Sequence, residues 1–154
     1  MSTAYGRCVA PHLPVLWAEF GYSIWAGLQQ DPARLEFAAR FYEDFYNMAY
    51  RSGANGTVCW WFPGGYRYNE RSDYGIVNPD RSWRPATQVI KRWAEKMTAP
   101  RPNPKPDVWL EADPERDVDG LFGLYRRLKD DFWRAVEAGQ MPGLRLPAGK
   151  EPRP

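Results

Sequence analysis

The sequence holds a single histidine, His12, and two cysteines, Cys8 and Cys59. One histidine and two separated cysteines give no zinc-ligand spacing, and two thiols cannot build a disulfide framework or fix a redox compartment. Charge of one sign is missing as well. Twenty-one basic residues face 19 acidic ones, a formal charge of +2, so there is no field for nucleic acid or an anionic membrane. No apolar run approaches the roughly 18 residues of a membrane span, and Met1 to Arg7 lacks the apolar stretch of a signal peptide. Gly64-Gly65 follows a strand-like run without the remaining glycines of a phosphate-cradling loop. The acidic stretch from Asp113 to Gly120 lacks a calcium loop's terminal glutamate, since Arg126 stands at position twelve. Acids favoured at a helix start explain it better. No cofactor and no metal site is expected.

What is plentiful is aromatic and stiff: eight Trp, nine Tyr, seven Phe and 15 Pro in 154 residues. That length can bury one core, and 16% aromatics argue against disorder over most of the chain. It falls well short of the roughly 250 residues of a complete (β/α)8 barrel. So many tryptophans either fill a core or line a surface. Flat aromatic faces exposed in a cleft suit sugar rings, whose C–H faces pack on π-systems while their hydroxyls stay wet.

Residues 13–19, Leu-Pro-Val-Leu-Trp-Ala-Glu, read as an apolar strand ending on Glu19. A nearly continuous apolar run is the pattern of a strand in a parallel sheet. After a loop with Tyr22 and Trp25, Asp31-Pro32 opens a helix that stops near Gly53, with Asp as N-cap and Pro at the first helical position. A second β-favouring run, Thr57 to Phe62, is broken by Pro63-Gly64-Gly65. An aromatic, polar loop from Tyr66 to Arg84 leads to a helix beginning at Pro85. Strand, loop, helix, repeated, predicts two βα units with parallel strands. Residues 100–107 form a Pro-rich linker. Residues 108–146 read as a short strand and a helix stopped by Gly139, and 147–154 as a disordered tail.

Glu19 is the first candidate for chemistry: an acid at the C-terminal tip of a parallel strand faces the loops where α/β barrels keep their active sites. The plainer alternative is an ion-pair or solvated loop residue. Trp60 and Trp61 face opposite ways if both lie on a strand, so one packs on helices and the other opens to the cleft. Tyr66, Tyr68, Glu70 and Asp73 supply stacking faces and hydrogen-bonding groups suited to hydroxyls; ordinary charged surface is the alternative.

Taken together, Pro14-Val15-Leu16-Trp17-Ala18-Glu19-Phe20-Gly21 resembles the P-V-x-x-x-E-F-G segment of retaining (β/α)8 glycosidases of the cellulase and mannanase clan, glycoside hydrolase family five. Gly56 to Phe62 is similar to the eighth strand of that family. Residues from Ser72 to Pro85 are similar to its closing loop, with Arg81 where glycine is common. The resemblance spans residues 8–98 and implies an incomplete α/β (β/α)8 TIM barrel: the last two βα units over residues 1–99, followed by a helical extension. It makes Glu19 the catalytic nucleophile and Trp61 the floor of the cleavage subsite, with Trp60 the second choice because a one-residue register shift exchanges them. Tyr22, Trp25, Tyr66, Tyr68, Glu70 and Asp73 line the rim, around an oligosaccharide, polysaccharide or β-glycoside.

The same resemblance puts the acid/base glutamate on strand four, well upstream of any residue here. Strands one to six are expected from a missing N-terminal barrel segment, with any export signal upstream of it, so the compartment is unread and the isolated chain is expected to be inactive. The competing expectation is a non-catalytic carbohydrate-binding or interaction module. A barrel of aldolase type is disfavoured, since no lysine ends either strand. An open sheet face beside Glu19 discriminates the first two readings.

Overall fold

The computed structural model describes residues 1–25, 31–113 and 115–150. Its elements are α1 (Ser2–Val9), β1 (Leu16–Phe20), α2 (Pro32–Arg51), β2 (Gly56–Cys59), α3 (Pro85–Thr98), β3 (Val108–Glu111), α4 (Leu121–Glu137) and β4 (Pro142–Arg145). They form two compact units. One comprises residues 16–50 and 55–101; the other comprises 1–15, 51–54 and the chain from 102 onward.

The first unit is the pair of βα units that the sequence predicts. β1 and β2 are parallel, with α2 and α3 following their strands. Asp31 caps α2 through its side chain, with Ala33 N–H donating to Oδ1 at 2.9 Å. Both helices carry Pro at their first residue, where its missing N–H is harmless. The core joins Phe20 of β1, Tyr42 and Tyr46 of α2, Ala86, Val89 and Trp93 of α3, and Ile76 and Val77 from the loop before α3. Trp93 also donates its indole N–H to Glu43 at 2.9 Å, tying α3 to α2. All of this covers one sheet face. On the strands, Leu16, Ala18 and Val58 are exposed. The sheet is therefore open on one side, and among the described residues no closed barrel forms.

The boundary between the units falls between Arg101 and Pro102, within the expected linker, while residues 1–15 and 51–54 belong to the second unit. The N-terminal residues expected to belong with the βα pair instead form α1, whose Cys8 packs with Ala112, Leu124, Leu128 and Leu144. Its eight residues are too few to show a helical period clearly. β3 and β4 pair in parallel around α4, so the expected strand and helix are the first two parts of a third parallel unit. β4, Pro-Gly-Leu-Arg, has little of the β-branched signature that announces a strand. Gly139 ends α4 as expected, at φ +77 with its N–H on the Val136 carbonyl. Residues 147–150, placed by the sequence in a disordered tail, make a turn that brings Lys150 Nζ to 3.2 Å from Asp113 and 2.9 Å from Glu115. Residues 151–154 lie outside the described residues.

Candidate functional site

Glu19 owes its position to an irregularity. Leu16 pairs with Gly56 and Trp17 with Thr57, yet Phe20 pairs with Cys59, so β1 carries one extra residue between Trp17 and Phe20. In a regular strand Trp17 and Phe20 point to opposite faces. Here both reach the same Phe45 of α2, Trp17 edge-on at 5.3 Å and Phe20 stacked at 3.7 Å between centroids. The bulge leaves Ala18 and Glu19 exposed, away from the helix. Bulges re-aim side chains in this way, often beside functional sites.

The two parallel strands end side by side. Trp60 N–H donates to the Phe20 carbonyl at 2.7 Å, which places Trp60 beside the residue that follows Glu19. Gly21 makes the approach possible: a Cβ there falls 2.3 Å from the Trp60 carbonyl oxygen. The Trp60–Trp61 peptide is cis. β2 has already ended at Cys59, so simple strand alternation does not apply to the pair. Trp61 is 6% exposed and Trp60 is 37% exposed. Arg67 lies over Trp61 with its guanidinium carbon 3.5 Å from the ring centroid, and 5.6 Å from that of Trp60. Tyr74 meets Trp61 edge-on at 5.4 Å. The open indole is thus Trp60, and Trp61 is its buried support.

The loop after β2 folds into a short hairpin, with Arg67 bridged to Ser72 and paired with Glu70 at 3.2 Å. Trp25, Tyr66 and Tyr68 form a ladder, with centroids 4.3 Å and then 5.1 Å apart. Tyr68 and Glu70 are exposed. Tyr22 instead packs on Phe37 and Phe41 of α2.

Asp73 lies under the rim, not on it. It is buried, and its oxygens accept from Arg84 Nη1 (3.0 Å) and Nη2 (2.8 Å), Gly75 N–H (2.9 Å), Gly65 N–H (3.1 Å) and the Trp25 indole (3.3 Å). Burial disfavours its charge, but Arg84 and the two backbone N–H groups outweigh that and hold the carboxyl below its ordinary value. A residue expected to touch sugar is therefore committed to five internal donors. Arg84, visible in sequence only within the closing-loop motif, adds bonds to the Gly75 carbonyl at 2.5 Å and to Asn78 Oδ1 at 2.9 Å. Arg67 belongs to the polar loop whose groups suit sugar hydroxyls, but its contact with the tryptophans carries no signal in the sequence, because it reaches them by loop folding.

No family model matches the sequence, and neither does any curated protein. Solved structures do. The GH5_18 protein of Streptomyces cattleya, crystallised with GlcNAc, superposes at a TM-score of 0.66 and 20% identity, over 94% of this chain and 38% of its own. A variant of it in complex with Manb1-4GlcNAc gives 0.66 at 22% identity with the same coverage. The GH5_18 protein of Bifidobacterium longum subsp. infantis gives 0.71 at 17% identity, over 96% of this chain and 36% of its own. The chain thus spans little more than a third of the glycoside hydrolase family 5 structures it resembles, and what it shares with that part of them is the fold: an incomplete, parallel-stranded α/β portion of a TIM barrel.

Proposed function

We propose that this chain is the C-terminal, nucleophile-bearing portion of a retaining β-glycosidase whose remaining βα units come from polypeptide outside these 154 residues. The observation that carries the reading is the bulge that aims Glu19 away from α2, at the tip of a parallel strand and beside the exposed Trp60. A carboxylate there can attack an anomeric carbon while the neighbouring indole supports the ring. The glycosyl ester forms as the aglycone oxygen leaves with a proton from a second carboxyl group, roughly 5–5.5 Å away in retaining enzymes. Water then opens the ester, with that second group acting as base. No described residue fills the second role: Glu70 follows β2 and pairs with Arg67. The sugars in the neighbours' structures, GlcNAc and Manb1-4GlcNAc, favour a β-linked oligosaccharide as substrate class.

The test is a chimera in which this chain replaces the matched portion of a family 5 barrel. The expected result is hydrolysis of aryl β-glycosides that disappears on Glu19→Gln while the fold persists. A folded chimera whose hydrolysis is untouched by Glu19→Gln overturns the assignment. A folded chimera that binds saccharide and hydrolyses nothing favours the non-catalytic binding module instead.

A further inference from the structure

Phe62, two residues after Trp60, borders a second concavity. Residues 62–64 form one wall. The other is a tight hairpin in which Val77 and Trp83 are bridged antiparallel and Asn78 N–H donates to the Ser82 carbonyl at 2.9 Å. Phe62, Pro63, Asn78, Arg81 and Trp83 are among the residues that border this concavity of about 350 Å³, which opens to solvent; the volume is within the range of small-ligand sites. Phe62 is 66% exposed and Trp83 52% exposed, so two large rings remain open to solvent, with Lys91 Nζ 5.3 Å from the Trp83 ring centroid.

We propose that this concavity is a second saccharide subsite, in which Phe62 and Trp83 stack on one neutral pyranose unit and Arg81 donates to its hydroxyls. The inference rests on the glycosidase reading for its ligand class. Three observations support it. First, the site is rigid before any ligand arrives. The Phe62 carbonyl accepts from both Ile76 N–H (3.2 Å) and Val77 N–H (3.4 Å). Arg84, itself buried, clamps the Asn78 side chain at the base of the hairpin. Gly64 and Gly75 cross so closely that a Cβ on Gly75 falls 2.3 Å from Gly64 Cα. Aromatic rings fixed in this way lose little freedom on binding.

Second, Arg81 occupies the hairpin tip at φ +70, a left-handed conformation that disfavours any residue with a Cβ. A strained non-glycine residue at a loop tip is a recurrent mark of functional sites. Its side chain is exposed and makes no ion pair among the described residues, so its N–H donors can reach a ligand. Third, the chemistry is mixed: apolar rings with a planar donor and no carboxylate in the lining, the inventory for a neutral polyol.

The experiment follows the eight tryptophan indole N–H signals of the 154-residue chain by NMR, with Trp83→Phe and Trp60→Phe for assignment. Mannobiose, chitobiose and hexaproline are the titrants. The expected result is saturable movement of the Trp83 signal by a disaccharide. Phe62→Ala and Arg81→Gly should each weaken it at least fivefold, and Arg81→Gly should leave the melting temperature unchanged or higher, because glycine suits that backbone. Weaker binding in a variant that is no less stable separates a ligand donor from a structural residue. Movement of Trp60 alone, or silence of both signals, overturns this subsite and leaves the glycosidase reading standing, because that cleft is completed by βα units outside this chain and is tested in the chimera. A response of Trp83 to hexaproline but to neither sugar overturns the proposal in favour of a peptide groove.

Discussion

Arg84 holds Asp73 in a two-pronged grip, Nη1 on Oδ1 at 3.0 Å and Nη2 on Oδ2 at 2.8 Å, with both side chains 2% exposed. The pair fastens the residue before α3 to the middle of the aromatic loop. Because Asp73 also takes the N–H groups of Gly65 and Gly75 and the Trp25 indole, one carboxylate fixes both ends of the loop that carries Tyr66, Arg67 and Tyr68. Planar, charge-assisted pairs of this kind give geometric specificity as well as energy.

Removing one partner strands the other. Asp73→Ala leaves a buried guanidinium with only carbonyl acceptors, and the expected loss is about 3–5 kcal/mol, the usual consequence of breaking a buried pair. Urea unfolding followed by tryptophan fluorescence measures it. A loss below about 1 kcal/mol means that the pair is solvated and does not organise the loop. Arg84→Met combined with Asp73→Leu should recover part of the loss, because no charge then remains buried.

Acid should act through the same carboxyl. Its folded value lies below the ordinary one, so the stability it contributes is fully present above the ordinary aspartate value of about 4 and is lost as pH falls through the lower, folded value. Denaturation midpoints between pH 6 and pH 2 should therefore decline more steeply for the natural chain than for Asp73→Asn. Parallel profiles of the two proteins would show that acid sensitivity arises elsewhere.

The fold was legible in the sequence where local and global signals agreed. Asp31-Pro32 and Pro85 mark helix starts, and two apolar runs read as parallel strands because one sheet face is packed by α2 and α3. Legibility failed where a residue's position depends on distant chain. α1 is short, and it packs with residues more than a hundred positions away. The bulge at Ala18–Glu19 is invisible to period-two reasoning, although it decides which way Glu19 points. Asp73 looked like rim because it sits among polar loop residues. Its burial follows from Arg84, eleven residues on.

Gly21 should prove irreplaceable for a steric reason. A methyl group at this position meets the Trp60 carbonyl at 2.3 Å and Tyr74 at 3.2 Å, and the carbonyl belongs to backbone that cannot rotate aside. Gly21→Ala is expected to destabilise the unit by about 1–3 kcal/mol, as overpacking does, and to move the Trp60 indole signal. An unchanged melting temperature together with an unchanged spectrum would mean that the strand ends are not in close register.

The bare sheet face should govern how the chain behaves in solution. Leu16 and Val58 are both exposed on adjacent strands, and open parallel edges with apolar faces invite self-association. Sedimentation of the isolated chain should show concentration-dependent oligomers. Leu16→Lys with Val58→Thr should shift the population toward monomer, with helix content unchanged. A natural chain that stays monomeric at high concentration would argue that this face is already satisfied.

Glu19 can be separated from every other carboxylate by what replaces it. In the chimeric barrel, Glu19→Ala should lower kcat by on the order of 10⁴-fold or more, since deleting a nucleophile removes the step itself. The cavity left behind can admit a small anion. Azide should then attack the anomeric carbon in one displacement as the aglycone leaves protonated, giving a glycosyl azide of inverted configuration and restoring turnover. An acid/base residue behaves differently: its loss leaves the first displacement intact for good leaving groups, and azide then resolves the glycosyl ester with overall retention. The anomeric configuration of the azide product, read by NMR, therefore assigns the role. An inverted product places the nucleophile at the β1 bulge; a retained one moves it elsewhere and removes the reason for the bulge proposed above.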